Sequence, residues 1–312
     1  MAVTLTSTIK NGASPAEYMQ NYLNKKVLEN LEPNLYFTQY GEKAMAPDGY
    51  LTVSWARFDQ MTYTVAQATL TEGTTPTEKA LTSTVVQATP TQYGMFVILS
   101  DLLLKTSPIT DILSKAGREI AANMMRVVDK VVQAQLATGT NVIYANSKLS
   151  RAALAATDVV TGTDLAKATT KLRSLNAKTI SQGCYIGVAH SFVAGDIRNS
   201  SSGLWLDANK YTTNETILNG ETGKLQGIRI VETSNIDTFA STTTVYPLYV
   251  IGEGAYGVTD WQAMETYFKP VGAAGSADPL NQRATVGAKI SFAAKILQQN
   301  ALLRIESGAT AV

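Results

Sequence analysis

Few side chains in this 312-residue chain have the types and spacing that catalysis or ligand chemistry needs. The one histidine, His190, is the only possible base for a Ser-His-Asp triad, and no nucleophile-elbow sequence accompanies it. A single histidine also excludes multi-histidine metal sites, and the lone Cys184 excludes both a disulfide framework and a cysteine-built zinc site. His190 follows a strand-like run and precedes the potential cap Ser191, so it reads as a residue near a helix N-terminus. "GEGAYG", Gly252 to Gly257, fits the G-x-G-x-x-G spacing of a dinucleotide-binding turn and follows the strand-like "YPLYVI". That chemistry also needs a helix opening at the third glycine and a further parallel strand. "VTDWQAMETYFKP" offers neither, with its Thr-Asp turn signal, aromatics and proline, so the glycines are expected to turn the backbone at a strand end. The carboxylates Asp278, Glu253, Glu265 and Asp260 show no spacing that makes a couple. No GxxxxGK[ST] phosphate loop occurs, and the basic residues are scattered without interleaved aromatics. No catalytic residue, no cofactor and no metal site is expected. The rival from the enzyme class is a carboxylate- or nucleotide-dependent α/β enzyme using "GEGAYG" with Glu265 or Asp278.

The elements around these residues suggest work that is geometric. Composition is that of a globular protein, 45% hydrophobic and 16% charged, with a formal net charge of +1. A strongly basic nucleic-acid binder is not indicated, although a locally basic face is compatible with that balance. The first residues lack the basic and apolar regions of a signal peptide, and runs such as "MFVILSDLLL" are too short to span a bilayer. The expectation is a soluble chain made in the cytoplasm, without membrane contact.

"SPAEYMQNYLNKKVLENL" opens with Ser14, Pro15 and Glu17, a capping box, and carries a thin apolar stripe of Tyr18, Tyr22, Val27 and Leu31. It reads as a weakly amphipathic terminal arm. From Tyr50 to Tyr93 the pattern is extended and rich in threonine, with Gly73 and Pro76 marking a tip or break. Such a two-stranded excursion buries little of itself and is expected to lie on another surface. "QYGMFVILSDLLLKT" reads as a buried strand leading into the longest helix. That helix would be capped by Ser107, have Pro108 in its first turn and end at Gly139 as the C′ residue. Its apolar positions form two stripes. Ile109, Ile112, Leu113, Ala116, Ile120, Met124, Val127 and Val131 make one, with Met125, Val128, Val132 and Leu136 beside it. About thirty residues make a rod of about 45 Å, a spine covered on two sides.

Residues 140–277 read as mixed α/β: a helix in "TGTDLAKATTKLRSLNA", a strand in "GCYIGVAHS", a helix in "SFVAGDIRNS", and strands in "GKLQGIRIVETSNI" and "TVYPLYVIGEGAYGV". In "DPLNQRATVGAKISFAAKI" a marked turn precedes strict alternation. Val286, Ala288, Ile290, Phe292, Ala294 and Ile296 lie on one side, with Lys289, Ser291, Ala293 and Lys295 opposite. After Ile296 the apolar set moves to the odd positions Ala301, Leu303 and Ile305. This predicts an eleven-residue strand of about 36 Å against the spine, then a bulge or turn at Gln298–Asn300 and a shorter segment.

The order of these segments resembles that of a tailed-bacteriophage major capsid protein of the HK97 fold, and within that group the N4 gp56-like family. The matching stretches are "LTEGTTPTEKALT" before "QYGMFVILSDLLL", the long helix 107–138, "GKLQGIRIVETSNI", and "DPLNQRATVGAKISFAAKILQQNALLRIES". The resemblance implies an α+β fold in four parts. Residues 1–45 would be an N-terminal arm and 46–92 an extended β-hairpin loop over a neighbouring subunit. Residues 93–140 with 278–312 would form a peripheral domain of spine helix and long antiparallel sheet, and 141–277 an α/β axial domain. Glu72, Gly73, Pro76, Glu78 and Lys79 in the loop become candidate inter-subunit contacts. The implied function is self-assembly, as pentamers and hexamers, into an icosahedral head around packaged double-stranded DNA. Separate scaffold, portal and decoration proteins are implied partners. The implied locations are the virion and, during assembly, the host cytoplasm. The covalent cross-linking of the fold's namesake is not carried over. A shell protein of an encapsulin-like nanocompartment is the alternative within the same fold.

Overall fold

The computed structural model describes residues 36–44, 51–59, 61, 64–75, 78–106, 112–180, 183–200, 221–273 and 278–310. The chain opens with a short helix α1 (Tyr36–Gln39), strands β1 (Glu42–Lys43) and β2 (Val53–Phe58) and a helical turn α2 (Val65–Ala68). Strands β3 (Ser83–Ala88) and β4 (Thr91–Ser100) then lead into helices α3 (Asp101–Thr106) and α4 (Ile112–Leu136). Next come β5 (Val142–Tyr144), α5 (Gly162–Ser174), β6 (Tyr185–His190), α6 (Ser191–Ser200), β7 (Glu221–Leu225) and β8 (Ile228–Thr233). β9 (Phe239–Ala240), β10 (Thr244–Ile251), β11 (Tyr256–Lys269), β12 (Arg283–Ile296) and β13 (Leu302–Ser307) complete the described chain. The expected helix over residues 14–31 and the cap residues Ser107 and Pro108 lie outside the described residues.

The spine is α4. It buries Ile120, Met124, Val128, Val132 and Leu136 against the inner face of a sheet ordered β1-β11-β12-β4. That face is the alternating set read from the sequence: Val286, Ala288, Ile290, Phe292 and Ala294 are buried. Each large apolar side chain removed from water in this way contributes about 1.5–3 kcal/mol, so the periodic match of helix and strand fixes how the two pack. The sequence reading needs four corrections here. β12 runs for 14 residues rather than eleven, starting at Arg283 just after the Asp278–Asn281 turn. β11, also 14 residues, was read past a Thr-Asp turn signal; register shifts around Gln262 break its alternation and hide it from a period-2 search. β4 is not buried: Leu99 alone in it falls in the buried class, because the strand forms an edge and its second apolar face is bare. Gly139 is not a left-handed cap. The helix closes through short-range bonds from Thr138 to Gln135 and from Gly139 to Leu136, and a Cβ at 139 would stand 3.0 Å from the Leu136 carbonyl oxygen.

The second sheet is seven-stranded, running β5-β13-β10-β6-β8-β7 with β9 on β10. β6 and β8 are parallel, joined through α6 as a parallel pair requires. α5 starts with a capping box: the Thr161 hydroxyl donates to Asp164 Oδ2 at 2.8 Å, and the same oxygen takes the Thr161 amide. β7 turns into β8 through Gln226 and Gly227, both at positive φ (51° and 80°), the two-residue hairpin whose twist suits antiparallel strands. Leu165, Leu172, Val193, Ile197, Ile230, Leu248, Leu303 and Ile305 form this sheet's own apolar cluster.

The two sheets are joined by a two-stranded ribbon that is interrupted at one level. β10 pairs with β13 up to Ile251 opposite Leu302, and β11 pairs with β12 from Tyr256 opposite Ile296. Both strands break between those pairs, one through Gly252–Ala255 and the other through Leu297–Ala301, which includes a 3₁₀ turn at Gln299–Ala301. The two breaks are bonded to each other: Gly252 donates to Ala301 (2.8 Å), and Leu297 and Gln298 both donate to Ala255 (2.9 and 3.1 Å). The expected turn at Gln298–Asn300 is therefore present, and it transfers the chain from one sheet to the other. That transfer is why the apolar parity changes there.

Candidate assembly surface

The threonine-rich excursion is a hairpin whose base is anchored and whose remainder is not. β2 and β3 pair from Val53 opposite Ala88 to Phe58 opposite Ser83. Val53, Trp55 and Ala88 pack on Ala293 and Leu297, on the outer face of the spine sheet. Gly257 makes room for this: a Cβ there would stand 2.6 Å from Trp55 Cε2. Arg57 adds a bond from Nη1 to the Leu297 carbonyl (3.0 Å) and one from Nη2 to Asp59 (3.2 Å). Past Phe58 and Ser83 the described loop residues are exposed, apart from half-buried Asp59, and large apolar side chains such as Val65 (86% exposed) and Leu70 (73%) stand bare. The helical turn α2 was not anticipated; its capping box, Thr64 with Gln67, lies in a stretch read only as extended. Of the candidate contacts, Glu72, Gly73, Glu78 and Lys79 are exposed around a turn with Gly73 at φ 77°, and Pro76 lies outside the described residues.

A second bare apolar region follows directly in the sequence. Phe96, Val97 and Ile98 on edge strand β4 and Leu102, Leu103 and Leu104 on α3 are all exposed. The run has large apolar residues on both faces, which in sequence reads as a strand covered twice; among the described residues its outer face is bare and its inner face only partly covered, with Val97 opposite Val286 still 40% exposed. Bare apolar side chains clustered in sequence next to an open strand edge mark an interaction site.

The polar side chains serve the architecture. The backbone amide of Phe37 donates to Asp129 Oδ1 (3.1 Å), and Gln133 and Asn235 donate to its other oxygen (both 3.3 Å). The Tyr256 hydroxyl donates to the Phe37 carbonyl, so α1 is held by the spine through its Phe37 amide and by β11 through its Phe37 carbonyl. Burial raises the Asp129 carboxyl above its ordinary range, against the lowering effect of these three donors. A cavity of about 540 Å³ beside it is lined by Tyr36, Arg126, Asp129, Ser191, Glu232 and Asn235 among others. The sequence signal for this site was an acid and an amide four residues apart, Asp129 and Gln133, inside an apolar stripe; it was passed over.

His190 ends β6, and its Nδ1 accepts from the Phe192 amide at 3.2 Å, as expected for a residue at a helix N-terminus. Burial lowers its pKa, with Glu232 opposing that shift. Arg151 grips Glu306 through two bonds of 2.7 and 2.6 Å, and Arg304 adds a third at 2.7 Å. Arg304 also donates to the Ala137 carbonyl at the end of α4 (2.5 Å), tying the spine to the second sheet. "GEGAYG" is a turn between strands: Gly254 sits at φ 67°, and a Cβ on Gly252 would meet the Lys178 carbonyl oxygen at 2.8 Å. No helix opens there, since β11 follows. Asp278 accepts from the Arg283 amide (2.8 Å), stapling its own turn, and Glu265 lies opposite Lys289 in the ladder. The Glu253 amide donates to the Lys178 carbonyl (3.0 Å), and Asp260 pairs with Phe292 next to a bulge. Among the described residues no group of three or more His, Cys, Asp or Glu is arranged to hold a metal ion. No helix among them is long and apolar enough to cross a membrane.

The model of a family described as phage capsid protein matches residues 82–305, more than two thirds of the chain. The chain belongs to that family. The solved capsid of Ralstonia phage GP4 is similar to this capsid protein at a TM-score of 0.71 with 13% identity, covering 100% of this chain and 98% of that one. The capsid asymmetric unit of cyanophage Pam1 gives 0.67 at 12% identity over 91% and 93% of the two chains. The mature capsid of bacteriophage PhiM1 gives 0.63 at 14% identity over 89% and 88%. Among curated protein sequences nothing matches significantly. The fold is the HK97-like α+β capsid fold, so the element order read from the sequence led to the right architecture.

Proposed function

We propose that this chain is the major subunit of the head: copies associate as pentamers and hexamers into an icosahedral shell around double-stranded DNA. One observation carries this. Among the described residues the outer hairpin and the β4–α3 block hold most of the bare large apolar side chains, with Leu70, Leu102 and Phe96 each about 70% exposed. Identical neighbours that interlock through long arms would bury these surfaces, and a stiff spine would keep the geometry constant from copy to copy. A net charge of +1 limits repulsion among many copies in one shell.

In this reading residues 1–45 form the arm, 46–92 the loop over a neighbour, 93–140 with 278–312 the peripheral part and 141–277 the axial part. Strand pairing moves two stretches across these bounds: β11 lies in the spine sheet with the peripheral part and β13 in the second sheet with the axial part, because both strands change sheet at the ribbon crossing. The loop contacts are carried by Glu72, Gly73, Pro76, Glu78 and Lys79. The N4 gp56-like subfamily, assembly in the host cytoplasm, and separate scaffold, portal and decoration partners belong to the same reading. The family match to phage capsids favours it over a nanocompartment shell. Electron micrographs and light scattering of the purified chain test it. Shells or capsomers of several subunits are expected, and a monomer under all salt, crowding and scaffold conditions overturns the proposal.

A further inference from the structure

The side of α4 turned away from the sheet is basic. The exposed residues of this helix are Lys115, Arg118, Glu119, Arg126, Lys130 and Ala134, so a single acid stands among the bases. Scattered in sequence, the bases gather on the helix surface. Arg118, Ala122, Arg126 and Lys130 are spaced four apart and make one row, and Lys115 lies a turn before Arg118. From Lys115 to Lys130 the row runs for about 22 Å. Ile120, Met124, Val128 and Val132 pin the opposite side of the helix to the sheet, so the bases are held outward. Little nearby offsets them. Asp237 pairs with Lys130 (2.7 Å), Glu232 pairs with Arg198 (3.2 Å), and Asp129 is enclosed under its three donors. Among the described residues no carboxylate forms an ion pair with Lys115, Arg118 or Arg126.

We propose that this basic row is the subunit's contact with the phosphate backbone of duplex DNA, and that the spine side of the sheet therefore faces the lumen of the shell. The inference rests on the shell reading and says which side of the subunit meets the contents. Three features select this partner. The first is charge without a counter-charge. Like charges four residues apart on a helix repel one another, and an external polyanion relieves that repulsion. The second is shape. A straight row of about 22 Å can lie along a duplex over about a dozen phosphate charges, at one charge per 1.7 Å of axis. It holds no aromatic side chain on which a base could stack, so the contact is to the backbone and independent of sequence. The third is layering. The base of the hairpin covers one face of the spine sheet and α4 covers the other. The row lies beyond α4, on the side away from the hairpin, so contacts made through the hairpin side leave it open.

Anisotropy of a short fluorescent duplex, titrated with the unassembled full-length chain over a series of salt concentrations, tests the contact. Lys115→Gln, Arg118→Gln and Arg126→Gln together should weaken binding at low salt at least tenfold. They should also flatten the slope of log K against log salt by about 2–3, at about 0.9 for each lost phosphate contact. Lys115→Arg, Arg118→Lys and Arg126→Lys together should keep the wild-type slope, as should Lys79→Gln, Lys269→Gln and Lys295→Gln on the hairpin side of the sheet. Orientation is read on assembled material. Closed wild-type shells should bind added duplex no better than closed shells of the glutamine variant, while shells broken open should bind it better. An unchanged slope in the glutamine variant overturns the DNA contact and leaves the shell reading standing. A row that binds polyglutamate but not duplex overturns it in favour of an acidic protein segment. Closed shells that bind duplex through the row overturn the inward orientation. A wild-type chain that never assembles overturns the shell reading and the inward orientation with it.

Discussion

Glu306 is enclosed at 0% exposure, with two guanidinium groups on its carboxylate and the Phe239 ring 4.0 Å below the Arg151 carbon. Burial alone would raise its pKa, but the two arginines outweigh burial and hold it below the ordinary carboxylate value. A depressed folded-state pKa contributes stability at pH values above the unfolded value. That contribution is lost as pH falls through the folded value, so the window opens below about pH 4.5. Glu306→Gln should cost about 3–5 kcal/mol at neutral pH, because both arginines lose their counter-charge inside the protein. It should also flatten the acid limb of stability, and urea denaturation from pH 7 to pH 3.5 checks both. Asp129 has the opposite sign: its raised pKa favours the folded state at low pH, and that contribution fades as pH rises through the folded value. Asp129→Ala takes the acceptor from the Phe37 amide and the Asn235 side chain, while Gln133 keeps its bond to the Asn235 carbonyl (2.6 Å). It should cost about 1–3 kcal/mol and speed hydrogen exchange at Phe37. Neither carboxylate stood out in the sequence. Glu306 reads as the polar side of the alternating "LLRIES", since nothing local shows that both faces of β13 are covered or that Arg151, 155 residues away, returns to it.

At the level of elements, legibility followed periodicity. β12 was readable because one face is apolar and the other mostly polar, while β11 lost its alternation to the irregular register around Gln262. β4 misled because apolar residues on both faces look alike whether the second cover comes from the same chain or from another. The apolar stripes of α4 were read correctly from Leu113 to Leu136, since 3.6-residue spacing survives the buried Asp129 and Gln133 within them; Ile109, at their start, lies outside the described residues. Register makes a sharp prediction. One residue inserted before Gln298 falls within the ribbon break and should cost less than about 1 kcal/mol. One inserted at Phe292 sends the rest of β12 to the wrong face and should cost more than about 3 kcal/mol. Equal denaturation midpoints for the two variants would sink this. Trp55→Ala removes most of the small cluster under the hairpin. Exchange in Val53–Phe58 and Ser83–Ala88 should then rise by orders of magnitude while α4 keeps its protection, as read by exchange mass spectrometry.

For the whole molecule, the order of an extended loop, a spine, an α/β stretch and a last long strand was enough to reach the capsid fold from sequence. The surfaces that need a neighbour were only partly legible, because one chain's pattern does not say which copy supplies the cover. Replacing residues 60–81 with an Asn-Gly turn should leave the thermal midpoint within a few degrees, since that segment packs on nothing described in its own chain. The same variant should lose assembly completely, and sedimentation separates the two outcomes. The two-stranded ribbon has a mechanical consequence. A tension that pulls the two sheets apart along the ribbon runs parallel to its strands, so the ladder bonds of β10–β13 and β11–β12 are strained together in shear rather than opened one at a time. The short connections at Gly252–Ala255 and Leu297–Ala301 lie side by side and would share that pull, with Arg304 on the Ala137 carbonyl as a third tie to the spine. In a shell built of such subunits, outward stress would spread over many weak bonds at once, so that no single one must fail first.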